Sequence, residues 1–321
     1  MLSWAFDVCM YSFDYLTPKL RLEPNDLARG TPPRLPRWIH CICSPDRMRA
    51  ILNQVQLLDA CVKHHDHSQT IVSQRTRICW EPIPDSCRPE NLDACLRLMS
   101  EIDVISPNYD EAAALLSVAL DDFEVPSVGH TEVHRPGGMS SIGTSDADIF
   151  TASSSNLPDR SLSDVRQINA TKLATLLLER FHSYHSGDSD GNTKVARQTP
   201  LIVIRSGAAG SLALVELLLS SEPDCQTVVV AADVPAFHSA DQADAVRDVT
   251  GGGNSFLGGL VAYLASHPQP MSSHSGADTI ESTTMLWLRE ALQWGAISAC
   301  KSYMAVSESG ARQPEHSRHR E

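Results

Sequence analysis

Apolar residues along this chain fall into two kinds of segment. Short runs rich in β-branched residues predict buried strands at Trp38–Cys43, 77–80, 102–106, Leu201–Arg205 and 227–231. Beside them, apolar residues recur every three or four positions and predict helices at 47–64, 91–99, 110–120 and 165–184. Apolar strands that alternate with amphipathic helices are typical of a mostly parallel sheet covered on both faces. Such sheets bind ligands at the carboxyl ends of their strands.

Three segments depart from this alternation. Residues 126–160 are dense in Ser, Gly, Thr and Asp and predict a disordered insertion. Residues 271–283 predict a Ser-rich loop before the last helix, and the polar stretch 313–321 predicts a frayed tail. With these exceptions, residues 1–321 predict a single domain without internal repeats.

The composition narrows the class of protein. The chain has 321 residues, of which 42% are hydrophobic and 20% charged, and these values favour a folded core over disorder. A net charge of −13 argues against nucleic acid as the partner, because phosphate backbones need a basic surface. Backbone amides can nevertheless hold a small anion. No stretch approaches the ~18 apolar residues of a membrane span, and residues 1–16 lack a basic signal region, so the predicted location is cytoplasmic.

The nine cysteines are dispersed and include no Cys-x-x-Cys pair. This distribution predicts reduced thiols. Cys41 and Cys43 lie on one side of a predicted strand, and we interpret them as small core residues rather than metal ligands.

Three successive glycines, Gly251, Gly252 and Gly253, precede a predicted helix at 254–265. Without Cβ atoms these residues can turn their amides toward one point, at the positive end of the helix. The segment therefore predicts a phosphate site. No Gly-Lys-Ser/Thr follows, which excludes a Walker phosphate loop. Phe256 occupies the place of the third glycine in a dinucleotide-binding fingerprint, which excludes that motif as well. The alternative is a turn that lets the helix pack closely.

Residues 248–254 resemble the PfkB carbohydrate-kinase signature Asp-x-Thr-Gly-Ala-Gly-Asp. The resemblance implies that the glycine amides form an anion hole and that Asp248 lies at a monovalent-cation site, for example for K⁺. It also implies that Asn254 occupies the position of the catalytic base. Asn254 is neutral and cannot accept a proton, and the lost general-base help is worth about 10²–10⁴ in rate. Because phosphoryl transfer depends mainly on positioning and charge stabilisation, weak activity is expected.

Two further motifs resemble the same family. Asn108 and Glu111 follow a predicted strand as an Asn-x-x-Glu motif, which implies Mg²⁺ held through water. The alternative for this pair is a helix capping box. Gly207 and Gly210 resemble the family's Gly-x-x-Gly turn beside ATP. Residues 291–299 resemble the helix that flanks the adenine pocket, although their small side chains favour tight helix packing.

The resemblance covers the chain from about Trp38 onward and implies a three-layer α/β/α ribokinase-like fold. Residues 78–85 and 106–108 are similar to a fungal branch related to the maintenance-of-killer proteins, which also carries Gly-Gly-Gly-Asn. Residues 13–20 look like a region that normally follows the family's first strand, Gly-Gly motif and β-lid. We therefore expect an N-terminally truncated kinase domain that lacks these parts.

Two functions stay open at this point. The first is ATP- and Mg²⁺-dependent phosphoryl transfer to a hydroxyl of a small-molecule sugar or nucleoside-like substrate. The second is a non-catalytic nucleotide-binding pseudokinase or scaffold. The oligomeric state is also open, with a homodimer among the candidates.

Overall fold

The computed structural model describes residues 22–30, 35–65, 75–119, 162–186, 199–219, 227–238, 242, 246, 251–270 and 277–309. Four predictions fall on residues outside this described part: the insertion at 126–160, the tail at 313–321, the segment 13–20 and the cation site at Asp248.

Six strands form one sheet in the order β1-β2-β3-β4-β5-β6. Their bounds are Trp38–Cys43, Arg77–Pro82, Val104–Ile105, Leu201–Arg205, Ser211–Leu218 and Thr227–Val234. Strands β1 to β4 are parallel, and β5 is antiparallel to both of its neighbours. The carboxyl ends of β1 to β4 therefore meet at one edge of the sheet.

Helices cover both faces of the sheet. Their bounds are Pro24–Leu27 (α1), Pro45–His65 (α2), Leu92–Met99 (α3), Tyr109–Leu116 (α4), Leu162–Ser186 (α5), Gly252–Ser266 (α6) and Ala277–Ser309 (α7). In the part of the chain that the structure describes, 3₁₀ turns lie at Pro84–Ser86, Pro89–Asn91 and Gly207–Ala209.

Each helix layer has its own apolar core against the sheet. Met48 of α2 and Phe181 of α5 are buried in one core, and Leu257 of α6 and Leu288 of α7 are buried in the other. The amphipathic stripes read from the sequence, on α2 to α5, face the first of these cores, where burial of each large side chain contributes about 1.5–3 kcal/mol. The predicted fold class, three α/β/α layers around a mostly parallel sheet, is confirmed.

One strand was missed and several predicted boundaries are wrong; the strand predicted at 102–106, for example, is confined to Val104–Ile105. Strand β5 was not predicted, although its residues are almost entirely buried. Helix α4 ends at Leu116 rather than at residue 120, because Ser117 takes a left-handed conformation with φ 56° that stops the helix. Helix α7 begins at Ala277, so residues 277–283 are helical and not part of a loop.

The cysteines of β1 behave as predicted. Cys41 and Cys43 are both buried and free. Burial raises the pKa of Cys41 to about 12 and that of Cys43 to about 11, so both thiols stay protonated at neutral pH. Their interpretation as small core residues is confirmed.

Candidate functional site

Arg205, the last residue of β4, lies at the centre of a polar cluster at the carboxyl edge of the parallel strands. Its Nη2 donates to Glu81 Oε1 at 2.7 Å and to the Ser106 carbonyl oxygen at 3.0 Å. The same nitrogen lies 3.8 Å from Glu111 Oε2. The backbone of Arg205 also bridges to Asn108, so β4 and the segment after β3 are joined at their ends. One guanidinium at the end of β4 thus contacts Glu81 near the end of β2 and two residues that follow β3.

The glycine segment begins α6 directly over this cluster. Gly251 precedes the helix with φ 78°, a left-handed value that glycine adopts without strain, and its carbonyl accepts from the Ser255 amide at 2.9 Å. A Cβ atom on Gly253 would overlap Arg205 Nη1 and would lie 4.0 Å from Glu81 Oε1. The structure therefore brings the glycine segment to the sheet edge where the sequence pattern predicts a ligand.

Asn108 and Glu111 form a capping box at the start of α4. Asn108 Oδ1 accepts from the Glu111 amide at 2.8 Å, and Glu111 Oε2 accepts from the Asn108 amide at 2.7 Å. In this structure the two side chains therefore form the helix capping box that the sequence left open as an alternative. Their role in holding Mg²⁺ stays a prediction. The same pair nevertheless lies at the Arg205 cluster. Burial raises the pKa of Glu111, although its hydrogen bond from Asn108 and the charge of Arg205 oppose this shift.

Within the described residues, no three His, Cys, Asp or Glu side chains are placed to hold a metal ion. The side-chain oxygens of Asn108 and Glu111 suit Mg²⁺ better than a transition metal, since Mg²⁺ keeps several waters and uses few protein oxygens. Asn108 and Glu111 are the residues that would hold it.

Glu81 and His40 are site residues that sequence reasoning missed. Burial of Glu81 opposes its ionisation, but His40 and Arg205 outweigh burial and hold the pKa of Glu81 below its ordinary value. The ion pair between Glu81 and Arg205 is the shorter of these two contacts, with 2.7 Å between Glu81 Oε1 and Arg205 Nη2. His40 Nε2 lies 3.4 Å from Glu81 Oε2, and neither atom makes a hydrogen bond of good geometry in the described part of the chain. The available signal was a carboxylate at the carboxyl end of an otherwise apolar strand.

Gly207 and Gly210 lie in the tight turn between β4 and β5. The Ser206 amide donates to the Gly210 carbonyl at 2.8 Å. A Cβ on Gly210 would overlap the Val234 carbonyl at the end of β6, so close packing alone requires glycine there. Gly207 has φ 59° and open space around it. A nucleotide-lining role for both residues stays a prediction.

Asn254 is exposed in the first turn of α6. It adjoins Gly253, so its position at the site follows from the glycine segment. Its exposed side chain is available to a ligand, and its role stays a prediction.

The small residues of 291–299 serve helix packing. A Cβ on Gly295 would lie 2.7 Å from the Phe256 ring, and one on Gly259 would overlap the Trp294 carbonyl. Helices α6 and α7 therefore approach closely enough to exclude methyl groups at these positions. The alternative favoured at the sequence level, tight packing, is confirmed.

A cavity of about 370 Å³ lies at the opposite, amino end of the parallel strands. Its lining includes Trp38, Arg77, Asp103 and Trp287 and contains none of the predicted site residues. A cavity of this volume is large enough for a small molecule. The convergence of buried charge and glycine amides points instead to the carboxyl edge.

Among the described residues, no helix has both the length and the apolar character needed to cross a membrane.

Comparison with known proteins gives partial matches. No protein-family model matches the chain. An uncharacterised protein of the fission yeast Schizosaccharomyces pombe is 30% identical over 110 residues, which cover 34% of this chain and 27% of that protein.

Several solved kinase structures share part of the fold. Pyridoxal kinase from Leishmania donovani in complex with ADP is 17% identical with a TM-score of 0.37, covering 72% of this chain and 57% of that one. Ribokinase from Giardia lamblia is 14% identical with a TM-score of 0.36, covering 83% and 54%. Adenosine kinase from Schistosoma mansoni, in complex with 2-fluoroadenosine, is 12% identical with a TM-score of 0.37, covering 83% and 50%. The chain thus spans about half the length of these structures, and its function is argued from its own residues.

Proposed function

We propose that this chain is a PfkB-type carbohydrate kinase-like protein. It binds ATP with Mg²⁺ and transfers the γ-phosphoryl group, at a low rate, to a hydroxyl of a sugar or nucleoside-like small molecule. The observation that carries this proposal is the meeting of the glycine segment with Arg205, beside Asn108 and Glu111, at the carboxyl edge of the parallel sheet.

The glycine segment is suited to the terminal phosphates. Gly251 caps the start of α6, and Gly252 and Gly253 are its first two residues, where amides have no intrahelical acceptor and can donate to an anion. The helix adds the equivalent of about half a positive charge at this end. These amides hold the phosphates and stabilise the charge that spreads over the transferring group.

In the proposed complex, the oxygens of Asn108 and Glu111 would orient Mg²⁺ through its waters. Bound Mg²⁺ supplies neutralisation of the phosphate charge. Asp248, in the proposed arrangement, contributes to a monovalent-cation site for K⁺.

Asn254 orients the acceptor hydroxyl instead of deprotonating it. An amide cannot take the proton, and the missing general base corresponds to about 3–5 kcal/mol of barrier. Positioning and charge stabilisation remain available, which is why slow turnover is proposed rather than none.

One observation favours a second candidate, a non-catalytic nucleotide-binding protein. The glycine segment and Arg205 suit binding of an anion, whereas the position of the family's base holds a neutral, exposed side chain. In this second candidate, ATP alters stability or partner affinity without turnover. Cytoplasmic location and a homodimer remain predictions under either candidate.

Calorimetry with ATP, with and without Mg²⁺, tests the nucleotide site on the full chain. We expect binding that Mg²⁺ strengthens, and no binding under either condition would refute the proposal. A phosphoryl-transfer assay across sugars and nucleosides then separates the two candidates. Turnover that requires Mg²⁺ supports the kinase, and binding without turnover on the whole panel supports the non-catalytic protein.

A further inference from the structure

The Arg205 guanidinium is held on one side and faces the glycine segment on the other. Its Nη2 is engaged by Glu81 and by the Ser106 carbonyl, whereas Nη1 is the atom nearest to the Cβ position of Gly253. The side chain is only 13% exposed. The salt bridge therefore fixes the guanidinium plane while its Nη1 edge remains directed at the start of α6.

The charges around this edge make a cation necessary for any anion that binds there. Glu81 and Glu111 both lie within 3.8 Å of Arg205 Nη2. Without Arg205, two buried carboxyl groups would face the phosphates, and like charges at such distances repel by several kcal/mol in a partly buried site. Anion binding at the glycine segment thus depends on Arg205 as well as on backbone amides.

Two residues that adjoin Arg205, Ser106 and Ser206, carry buried hydroxyl groups. Ser106 is fully buried and Ser206 is 2% exposed, and neither Oγ has a hydrogen-bond partner within the described part of the chain. Arg205 Nε is likewise buried without a partner there. Buried polar atoms are nearly always paired in native proteins. Their concentration around one guanidinium favours a site that accommodates polar ligand or solvent atoms over an apolar packing contact.

We infer that Arg205 is an oxyanion-binding residue, whose Nη1 contacts the terminal phosphoryl oxygens of a bound nucleotide beneath Gly253, and that Glu81 positions it. This inference rests on the proposed function. It extends that function, because the anion is then held by a cation from β4 as well as by the amides of α6. Arginine suits this role because its planar fork donates to a carboxylate with one edge and to a phosphate with another.

Glycine at position 253 follows from the same geometry. Any side chain there would occupy the space into which Nη1 points. The third glycine of the segment thus keeps the cation accessible, which helix propensity alone would not require.

Two variants with opposite expected effects test the role of Arg205. Glu81→Gln keeps the cation and an amide oxygen that can still accept from Nη2 and position it, and it removes the competing negative charge, so affinity for ATP should be unchanged or higher. Glu81→Gln combined with Arg205→Gln removes both members of the buried pair and leaves only the Glu111 carboxyl, which still accepts the Asn108 amide, so affinity for ATP should fall about 10- to 100-fold. Affinity for AMP should stay within about twofold in both, because AMP lacks the terminal phosphates. Equal ATP affinity in the two variants would overturn the inference.

A structural role for Arg205 makes a different prediction. It would change the unfolding temperature of the double variant and lower the affinities for ATP and AMP together, leaving their ratio constant. A constant ratio therefore also overturns the inference. If the double variant does not fold, Arg205→Lys decides, since it keeps the charge and loses the fork: we expect weaker ATP binding, and wild-type affinity would overturn the inference.

Inorganic tripolyphosphate separates failure of this inference from failure of the proposed function. Wild-type binding of tripolyphosphate without binding of ATP would refute the nucleotide site, and the variants would still decide the role of Arg205. If the wild type binds neither probe, both are refuted.

Discussion

Replacing Gly253 by Ala tests the contact between the glycine segment and Arg205. The new methyl group would overlap Nη1, the far end of a flexible side chain that ordinarily moves aside at little cost. Here the guanidinium is tied by hydrogen bonds of 2.7 Å and 3.0 Å and is largely buried. Displacing it weakens a charged hydrogen bond worth about 1.5–3 kcal/mol.

Gly258 provides the matched control on the same helix. A Cβ there meets nothing within 4 Å, so Gly258→Ala brings only the helix-propensity gain of about 1 kcal/mol. At Gly253 the gain is smaller because the residue lies in the first turn. We therefore expect Gly253→Ala to destabilise the protein by about 1–2 kcal/mol, which places it about 2–3 kcal/mol below Gly258→Ala.

Urea unfolding followed by circular dichroism measures both variants against the wild type. The free energies of unfolding should move in opposite directions, with similar m-values if the compactness of the states is unchanged. Tripolyphosphate affinity should fall only in Gly253→Ala. If Gly253→Ala is as stable as Gly258→Ala and binds the anion equally well, the claimed contact with Arg205 is wrong.

Three further outcomes are expected. Asn254→Asp should raise the rate of phosphoryl transfer on a confirmed substrate by about 10²–10⁴; an unchanged rate in a steady-state assay would argue against the role given to this position. Gly259→Ala should destabilise the protein by about 1–3 kcal/mol in urea unfolding, because its methyl group would overlap the Trp294 carbonyl, whereas Gly258→Ala beside it should not. Because burial raises the pKa of Glu111 above its ordinary value of 4.5, the folded protein holds this proton more tightly than the unfolded chain. The stability that Glu111 contributes is therefore present below pH 4.5 and is lost as pH rises. The stability of Glu111→Gln relative to wild type should thus increase from pH 4.5 to 7 in paired unfolding curves, and a constant difference would contradict the shift.

Local pattern was sufficient for most of the elements. The runs that became β1 and β4 have the predicted bounds. In β4 four consecutive apolar residues are buried, whereas in β1 buried residues alternate with more exposed ones. The stripe of α5 likewise anticipated a long helix at Leu162–Ser186. Strand β5 was not predicted. It follows the tight turn at Gly207–Ala209, and a Gly-x-x-Gly pattern indicates a turn but not the type or direction of the next element.

Some residues of the candidate site could be found from sequence, and others could not. The glycine segment and the Asn108–Glu111 pair could be found from sequence, since each is a motif of neighbouring residues at the start of a helix. The ion pair between Glu81 and Arg205 could not, because its partners are 124 residues apart.

Sheet order decided that second part of the site. β3 lies between β2 and β4, and parallel alignment brings their carboxyl ends to one edge, where Glu81 and Arg205 can reach each other past Ser106. Hydrophobic periodicity specifies which residues are buried and leaves the order of strands undetermined, because every apolar strand satisfies the same burial. The α/β class, most elements and the glycine-rich start of α6 could therefore be inferred from the chain alone. The cation beneath that helix start could be found only in the folded molecule, because cross-strand proximity is set by packing and not by spacing along the chain.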